Sequence, residues 1–326
     1  MSEDKELFRK LCEEEKSICI YEQAWWLDID CGPDNWDVVL SFSNNRIVGA
    51  LPFYTKKSKG FKYITIPFRS QHHGPWIKEM KDMSPAKKLS HENTIMSDLI
   101  DKIEAIAKKQ KIVFFNQCFS PNITNWLPFY WKHYKQTTLY TYRIQDIRNP
   151  ELVLNSFESG KRYNIKNAIK KGIIIKEDLS PNDFYSFHKK VVEKKGKHIK
   201  YSFDMFQSYY NGLYKHNQGK CLYAVNSNGV IEGAILVAYD SSWGYDWITA
   251  FDSGAKSSGS SDLLVFSAIK FLSNKTIGFD FEGSMDQGIE HSYRHFGTVQ
   301  TPYFKVSKIY RSKPFIKLFL SKKARF

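Results

Sequence analysis

One short segment of the chain occurs twice. Asn44-Asn45-Arg46-Ile47-Val48-Gly49-Ala50 aligns without gaps on Asn228-Gly229-Val230-Ile231-Glu232-Gly233-Ala234, 184 positions later. A repeat at long period constrains the fold more than any single motif, because both copies must build the same supersecondary unit. Each copy lies between β-rich runs, WDVVLSF and LPFY around the first, KCLYAV and ILVAY around the second. Asn-Asn and Asn-Gly tolerate the positive φ of tight turns, so each copy predicts a β-hairpin.

The segments after the two hairpins also match. A third strand (FKYITIPF; WGYDWITAF) leads through a loop into an amphipathic helix and then a further strand. The helices are expected over residues 92–110, with Ile95, Leu99, Ile103 and Ile106 at helical spacing, and over 261–273, with Leu264, Val265, Ala268 and Leu272. The next strands, KIVFFNQ and KTIGFDF, both begin with Lys and turn apolar. Downstream, Lys132-His133-Tyr134 and Arg294-His295-Phe296 each lead into an aromatic strand. The turn IQDIRNP places a boundary that gives an N-terminal domain over residues 1–146 and a C-terminal domain over 147–326. The second copy carries an added helical block from Glu151 to His216.

With 326 residues, 42% of them hydrophobic and 16% aromatic, the chain has enough apolar surface for two packed domains and is not a disordered polymer. Its net charge of +14 favours anionic partners: phosphates, nucleic acid or an acidic membrane surface. Five cysteines without a Cys-x-x-Cys pair predict neither a disulfide framework nor a zinc ribbon, and fit a reducing compartment. Neither an apolar leader nor a run of about 18 apolar residues is present, so the expectation is a cytoplasmic protein without a transmembrane segment.

Four stretches carry a family resemblance: KRYNIKNAIKKGI from Lys161, NGVIEGAILVAYD from Asn228, AKSSGSSDLLVFSAIKFL from Ala255 and FDFEGSMDQGIEHSYRHFG from Phe279. A strand, hairpin and strand, then loop, helix and strand, resembles the GCN5-related N-acetyltransferase (GNAT) fold. Two copies in tandem resemble the FemAB family of peptidyl and acyl transferases. The resemblance extends loosely over nearly the whole chain and is strongest over residues 161–308. It implies an α/β (α+β) protein of two tandem GNAT-like domains, each a mixed, mostly antiparallel sheet flanked by helices. It also implies direct transfer of an acyl or aminoacyl group onto an amine of a cell-envelope precursor, either a peptidoglycan peptide or a polysaccharide amino sugar. The donor would be a co-substrate, acyl-coenzyme A or aminoacyl-tRNA, with no tightly bound cofactor. The acceptor would be an anionic nucleotide-linked or lipid-linked precursor. The coiled-coil arm of some FemAB members has no heptad counterpart here, a departure that weakens the link to tRNA. Two alternatives stand beside this reading: acetyl-coenzyme A-dependent N-acetylation of a small amine, and non-catalytic binding of RNA or another polyanion on a degenerate transferase fold.

In the loop before the second helix, Lys256, Ser257, Ser258, Gly259, Ser260 and Ser261 are candidate donor-phosphate contacts. Small residues there let backbone N–H groups face an anion at a helix N-terminus. The family holds the coenzyme A pyrophosphate at this place, but its usual Arg/Gln-x-x-Gly-x-Gly/Ala pattern is not kept. A simple Ser/Gly turn capping the helix would use the same residues. The segment from Lys161 predicts a helix closed by Gly172, with Ile165, Ala168 and Ile169 buried. Its basic face makes Arg162, Tyr163 and Lys166 candidate contacts for an anionic substrate, although a solvated charged face has the same pattern.

In the first half, Gln71, His72, His73 and Trp76 crowd into one turn and are candidates for acceptor recognition, or else a Gly-Pro turn with hydrogen-bonding side chains. Neither histidine has a partner at ligand spacing, so no metal is expected. In the stretch from Phe279, strand alternation aims Asp280 and Glu282 the same way. Either could take the proton from an attacking amine, Glu282 having the better access, while Ser284 and Arg294 in the same stretch could contact substrate. A structural use of Asp280, paired with Arg294 or capping the next helix, competes. Without a Ser-His-Asp or Cys-His grouping, direct transfer is preferred over a covalent acyl-enzyme. The first-half counterpart, FFNQCFSPN, keeps neither acid, which points to the C-terminal half as the catalytic one. The basic tail from Lys305 to Arg325 suits a weak membrane-surface or RNA contact, or a helix docked on the protein.

Overall fold

The structure is a computed structural model that describes residues 2–58, 60–80 and 82–312. The first repeat runs α1 (Glu3–Glu14), α2 (Ala24–Cys31), β1 (Trp36–Ser43), β2 (Arg46–Ser58), β3 (Phe61–Thr65), β4 (Trp76–Ile77), α3 (Pro85–Lys109), β5 (Phe114–Cys118), α4 (Leu127–Trp131) and β6 (Lys135–Ile144). The second runs α5 (Pro150–Ser156), α6 (Ser159–Lys170), β7 (Ile174–Glu177), α7 (Pro181–Lys194), α8 (Phe203–Lys215), β8 (Gly219–Val225), β9 (Ile231–Tyr239), β10 (Trp243–Phe251), α9 (Ala255–Ser258), α10 (Ser260–Leu272), β11 (Gly278–Asp280), α11 (Gln287–Arg294) and β12 (Val299–Ile309).

The repeated heptapeptide builds the same device twice. Asn44 and Asn45 turn the first hairpin with φ of 49° and 59°, and Gly229 turns the second at 78°. In β1–β2 the register moves from Ser41↔Gly49 to Phe42↔Ile47, which leaves Val48 as an extra residue. In β8–β9 it moves from Ala224↔Gly233 to Val225↔Ile231, which leaves Glu232. Val48 and Glu232 are the same position of the repeat, so both copies carry the same β-bulge. The glycines next in sequence admit a close neighbour. A Cβ at Gly49 would collide with Ile95 of α3, and one at Gly233 would lie 2.8 Å from Phe251 and 3.3 Å from Leu264 of α10.

Two compact units result, one made of the chain up to Leu139 together with the segment from Pro302, the other of Tyr140–Thr301. The expected division at 146/147 is therefore displaced, and the physical reason is an exchange of last strands. β12, which ends the second repeat, pairs with β5 of the first unit from Lys305↔Cys118 to Ile309↔Phe114. The end of β6 pairs with β11 of the second unit at Ile144↔Phe279 and Arg143↔Asp280.

The first unit has strand order β1-β2-β3-β5-β12, antiparallel except for β3–β5, with β4 on β2. The second has order β6-β11-β10-β9-β8-β7, antiparallel except for β10–β11. Each is a mixed, mostly antiparallel sheet. α3 covers the first with Ile95, Leu99 and Ile103, and α10 covers the second with Leu264, Ala268 and Leu272. α3 begins earlier than its apolar period suggests, because Pro85 sits in its first turn behind Ser84.

No described helix is long and apolar enough to cross a membrane, and the five cysteines are free. Of the basic tail, residues 313–326 lie outside the described residues. Lys308 is spent on Glu104 at 2.6 Å and stands 4.8 Å from the Tyr134 ring.

Candidate functional site

The second unit carries an open cavity of about 910 Å³. Its walls come from the start of α6 (Gly160, Lys161, Asn164), the first turn of α10 (Ser261, Asp262), the end of β10, Phe281 and one side of α11 (His291, Ser292, Tyr293). The cavity forms where two parallel strands part. β10 and β11 pair from Trp243↔Gly278 to Tyr245↔Asp280, and there the ladder ends. At the same point β10 bulges against β9: register passes from Tyr245↔Ala238 to Ile248↔Leu236, so Asp246 and Trp247 together oppose one residue. A bulge re-aims a side chain that strict alternation would place elsewhere. Trp247 goes into the core at 3% exposure, and Asp246 faces the cavity.

Asp246 accepts a hydrogen bond from Thr249 Oγ1. Burial pushes its carboxyl up from the usual 3.8 to about 6, against the opposing pull of that hydroxyl. Tyr293 stands close by: burial raises its phenol, and the charges of Asp246, Glu282 and Asp280 raise it further. The site therefore offers a carboxyl that gains and loses its proton near neutrality beside a phenol that keeps its own.

Of the two acids expected to act, Asp280 has a different use. It is fully buried, with Arg143 Nε at 2.6 Å from Oδ2, and Oδ1 accepting from Thr141 Oγ1 and, at 2.8 Å, from the Glu282 N–H. Its partner is Arg143 and not Arg294, which is exposed and 3.9 Å from Glu290. Glu282 does not continue the alternation, because β11 stops at Asp280 and Glu282 has a left-handed φ of 59°. Its Oε1 is buried without a hydrogen-bond partner, and burial holds its carboxyl well above the usual 4.5. It is absent from the cavity wall, but Tyr293 feels its charge. Ser284 is used locally, its Oγ accepting from the Asp286 N–H at 2.9 Å.

The expected anion loop is mostly a turn of helix. Lys256, Ser257 and Ser258 lie in α9, Gly259 takes a φ of 84°, and Ser260 and Ser261 open α10. A Cβ at Gly259 would collide with the carbonyl of Asn164, so α6 already fills the space against this turn. Ser258 Oγ donates to Glu232 Oε2 at 2.5 Å, Ser257 Oγ to the Gly254 carbonyl at 2.9 Å, and Ser260 Oγ to the Ala255 carbonyl at 3.3 Å. Glu232, the bulge residue of the repeat, thus places a carboxylate at the head of α10 where a ligand anion was expected. Lys256 and Ser261 remain as cavity contacts.

On α6, Arg162 is turned back to the carbonyls of Asn155 and Phe157 and closes α5, while Tyr163 and Lys166 point outward. The face that meets the cavity is the neighbouring one: Lys161 Nζ and Asn164 Nδ2 both reach Asp262, at 2.7 and 2.8 Å. Ile169, expected in the buried stripe, is 60% exposed.

In the first unit, His72 and His73 are both fully buried. Gln117 Nε2 donates to the Pro52 carbonyl and lies 3.0 Å from His73 Nδ1, so that nitrogen accepts and the proton sits on Nε2. Burial lowers the His73 pKa to about 3 and keeps the ring neutral. His72 packs edge-on against Tyr21 and Tyr303. The amide atoms of Gln71 are buried without hydrogen-bond partners. Trp76 donates to Ser17 Oγ at 2.9 Å and lines a cavity of about 430 Å³. Neither histidine reaches that cavity. Among the described residues no three His, Cys, Asp or Glu are placed to hold a metal ion.

Sequence reasoning passed over Asp246, Lys161, Asn164, Asp262 and Tyr293. One signal was there to use: a single acid inside the aromatic strand WGYDWITAF, where a half-buried carboxyl needs a reason.

No known family model matches the sequence, and no curated protein does. Solved structures match over nearly the full chain. A crystal structure of FemX superposes with a TM-score of 0.71 at 11% identity, covering 93% of this chain and 96% of that one. The C-terminal domain of a putative lysylphosphatidylglycerol synthetase from Agrobacterium fabrum gives 0.54 at 12%, covering 97% and 96%. A tandem GNAT protein from the clavulanic acid biosynthesis pathway gives 0.51 at 8%, covering 95% and 96%. At such identities the likeness is one of fold, and this chain shares the fold of FemX and of that tandem GNAT protein.

Proposed function

We propose that the protein transfers an acyl or aminoacyl group directly onto an amine, and that the second unit performs the chemistry. The observation that carries this reading is Asp246, a carboxyl tuned to about 6 by burial at the wall of a cavity opened by parting strands. An attacking amine must lose a proton, and a base with a pKa near working pH takes it efficiently. The amine nitrogen bonds to the acyl carbon, the proton passes to Asp246, and the bond from that carbon to the donor oxygen or sulfur breaks. Tyr293, whose phenol burial keeps protonated, stands where it can return a proton to the leaving atom.

The Glu232 carboxylate held by Ser258 at the head of α10 repels a pyrophosphate there and so favours an aminoacyl ester donor over coenzyme A. The name of the putative lysylphosphatidylglycerol synthetase neighbour favours a lipid-linked acceptor over a small free amine. Incubating the protein with labelled aminoacyl-tRNA or labelled acetyl-coenzyme A, plus lipid or muropeptide amines, tests both choices. Label on an amine product, lost in Asp246→Asn, supports the reading. Should neither donor yield product or raise the melting point while bulk RNA raises it, polyanion binding on a degenerate transferase fold takes its place.

A further inference from the structure

The repeat builds a cavity in each unit. α3, the helix after the first hairpin, presents Lys88, His91, Glu92 and Met96 to the cavity of about 430 Å³, as α10 presents Ser261, Asp262 and Val265 to the larger one. β3 and β5 are parallel at Ile64↔Phe115, and past the end of β5 residues 120–125 supply a further wall, as Phe281 does past β11. A space of this size holds a small molecule. The two cavities share no lining residue, and their chemistry differs. In a chain of net charge +14, the wall of the first carries three carboxylates, Glu22, Glu79 and Glu92, against two ammoniums, Lys78 and Lys88. Lys78 Nζ is 3.8 Å from Glu15, which is not on the wall. Lys88 stands one turn before Glu92 on α3, and among the described residues neither has an ion-pair or hydrogen-bond partner. Glu22 is buried, with Oε1 accepting from the Gly74 N–H at 3.1 Å. Beside Glu92, His91 Nε2 is buried without a hydrogen-bond partner.

An acidic wall alone would be an ordinary solvated surface, but a buried ring nitrogen without a partner is rare, and this one sits in the wall of the same cavity. We infer that the first unit binds a small organic ammonium ion with an apolar body. The ammonium N–H groups donate to the Glu92 carboxylate and to His91 Nε2, the ring proton then being on Nδ1. Glu22 and Glu79 add attraction at longer range. The carbon skeleton lies against the Trp76 indole and the Met80 and Met96 thioethers, with Ile77 and Ile123 completing the apolar wall. An anion would meet three carboxylates, and a neutral molecule leaves Glu92 unpaired. A bare metal ion does not fit, because no three His, Cys, Asp or Glu converge among the described residues. The inference does not depend on the transfer reading, since its site lies in the other unit and uses none of that cavity's residues.

The test is a ligand-observed NMR titration of the full chain at neutral pH with phenethylammonium, phenethyl alcohol and phenylpropionate, which share a body and differ in charge. The ammonium should bind on the order of tenfold more tightly than the alcohol, and the carboxylate should not bind. Glu92→Gln, checked for an unchanged melting point, should weaken the ammonium on the order of tenfold and leave the alcohol as it was. His91→Phe, which keeps a ring of similar size and removes the acceptor, should also weaken it. Asp246→Asn, altered only in the second unit, should bind like the parent. Equal or tighter binding of the carboxylate, no binding of the ammonium by the parent, or parent-like affinity in both Glu92→Gln and His91→Phe would each overturn the inference. So would loss of ammonium binding in Asp246→Asn with retention in Glu92→Gln, which would place the ligand in the transfer cavity.

Discussion

Arg143 Nε lies 2.6 Å from Asp280 Oδ2, and the two side chains are 3% and 0% exposed. The residues face each other in the β6–β11 ladder, and the guanidinium also stands 4.0 Å from the Trp243 ring. One carboxylate, bound by Arg143 and Thr141 of β6, thus fastens a strand supplied by the first repeat into the sheet of the second unit. Removing one partner of a buried pair leaves an uncompensated charge, at a cost of about 3–5 kcal/mol. Asp280→Ala should show that loss as a lowered urea midpoint. R143M/D280L, which removes both charges, should recover most of it. Asp280→Asn should retain its transfer rate per folded molecule, since the carboxylate does not line the cavity.

Asp246→Asn should do the opposite. Transfer should fall on the order of 10²–10⁴-fold, with the acidic limb near pH 6 in the parent's rate profile absent from the variant. Its stability moves the other way. The folded pKa of about 6 exceeds the usual 3.8, so the stabilising contribution is fully present below pH 3.8 and is lost as pH rises through 6. At pH 7.5 the ionised carboxyl is a burden that asparagine removes. The variant should melt higher than the parent there, by on the order of 1 kcal/mol or roughly 2–4 °C, and equally at pH 3.5.

The repeat was legible because hairpin turns and helical periods are local properties, and both copies displayed them. The domain boundary was not, because a pattern that predicts a strand at TPYFKVSK says nothing about which sheet receives it, and β12 pairs with β5. Strand alternation misplaces two acids. It ran past Asp280 onto Glu282, although the strand stops there. It also could not foresee the bulge that aims Asp246 at the cavity. Small residues and the place before a helix make the six-residue loop a candidate for an anion, but neither property reveals that α6 packs on its turn, where the Asn164 carbonyl is 95 positions away from Gly259.

The repeated glycines give a paired stability test. Ala at position 49 would drive its Cβ into Ile95, whereas Ala at 233 meets Phe251 at 2.8 Å, a ring edge that can yield. Overpacking typically costs about 1–3 kcal/mol, so Gly49→Ala should lie at the upper end and Gly233→Ala at the lower. G49A/I95A should regain part of the loss, because the smaller side chain on α3 leaves room for the new methyl. Double-mutant analysis of urea unfolding measures the coupling, and additivity of the two changes would count against the contact.

His73 makes the first unit sensitive to acid. Its ring is sealed, with Nδ1 accepting from Gln117, and its pKa falls from 6.5 to about 3. The unfolded chain therefore binds a proton between these values that the folded chain refuses. Stability is complete above pH 6.5 and declines as the pH falls towards 3. Between pH 7.5 and pH 5 the difference from this one group is about 2 kcal/mol. Urea unfolding measured across that range should show the slope in the parent, and His73→Asn should flatten it, whatever its own stability at pH 7.5. An unchanged slope in the variant would mean that another group carries the acid sensitivity.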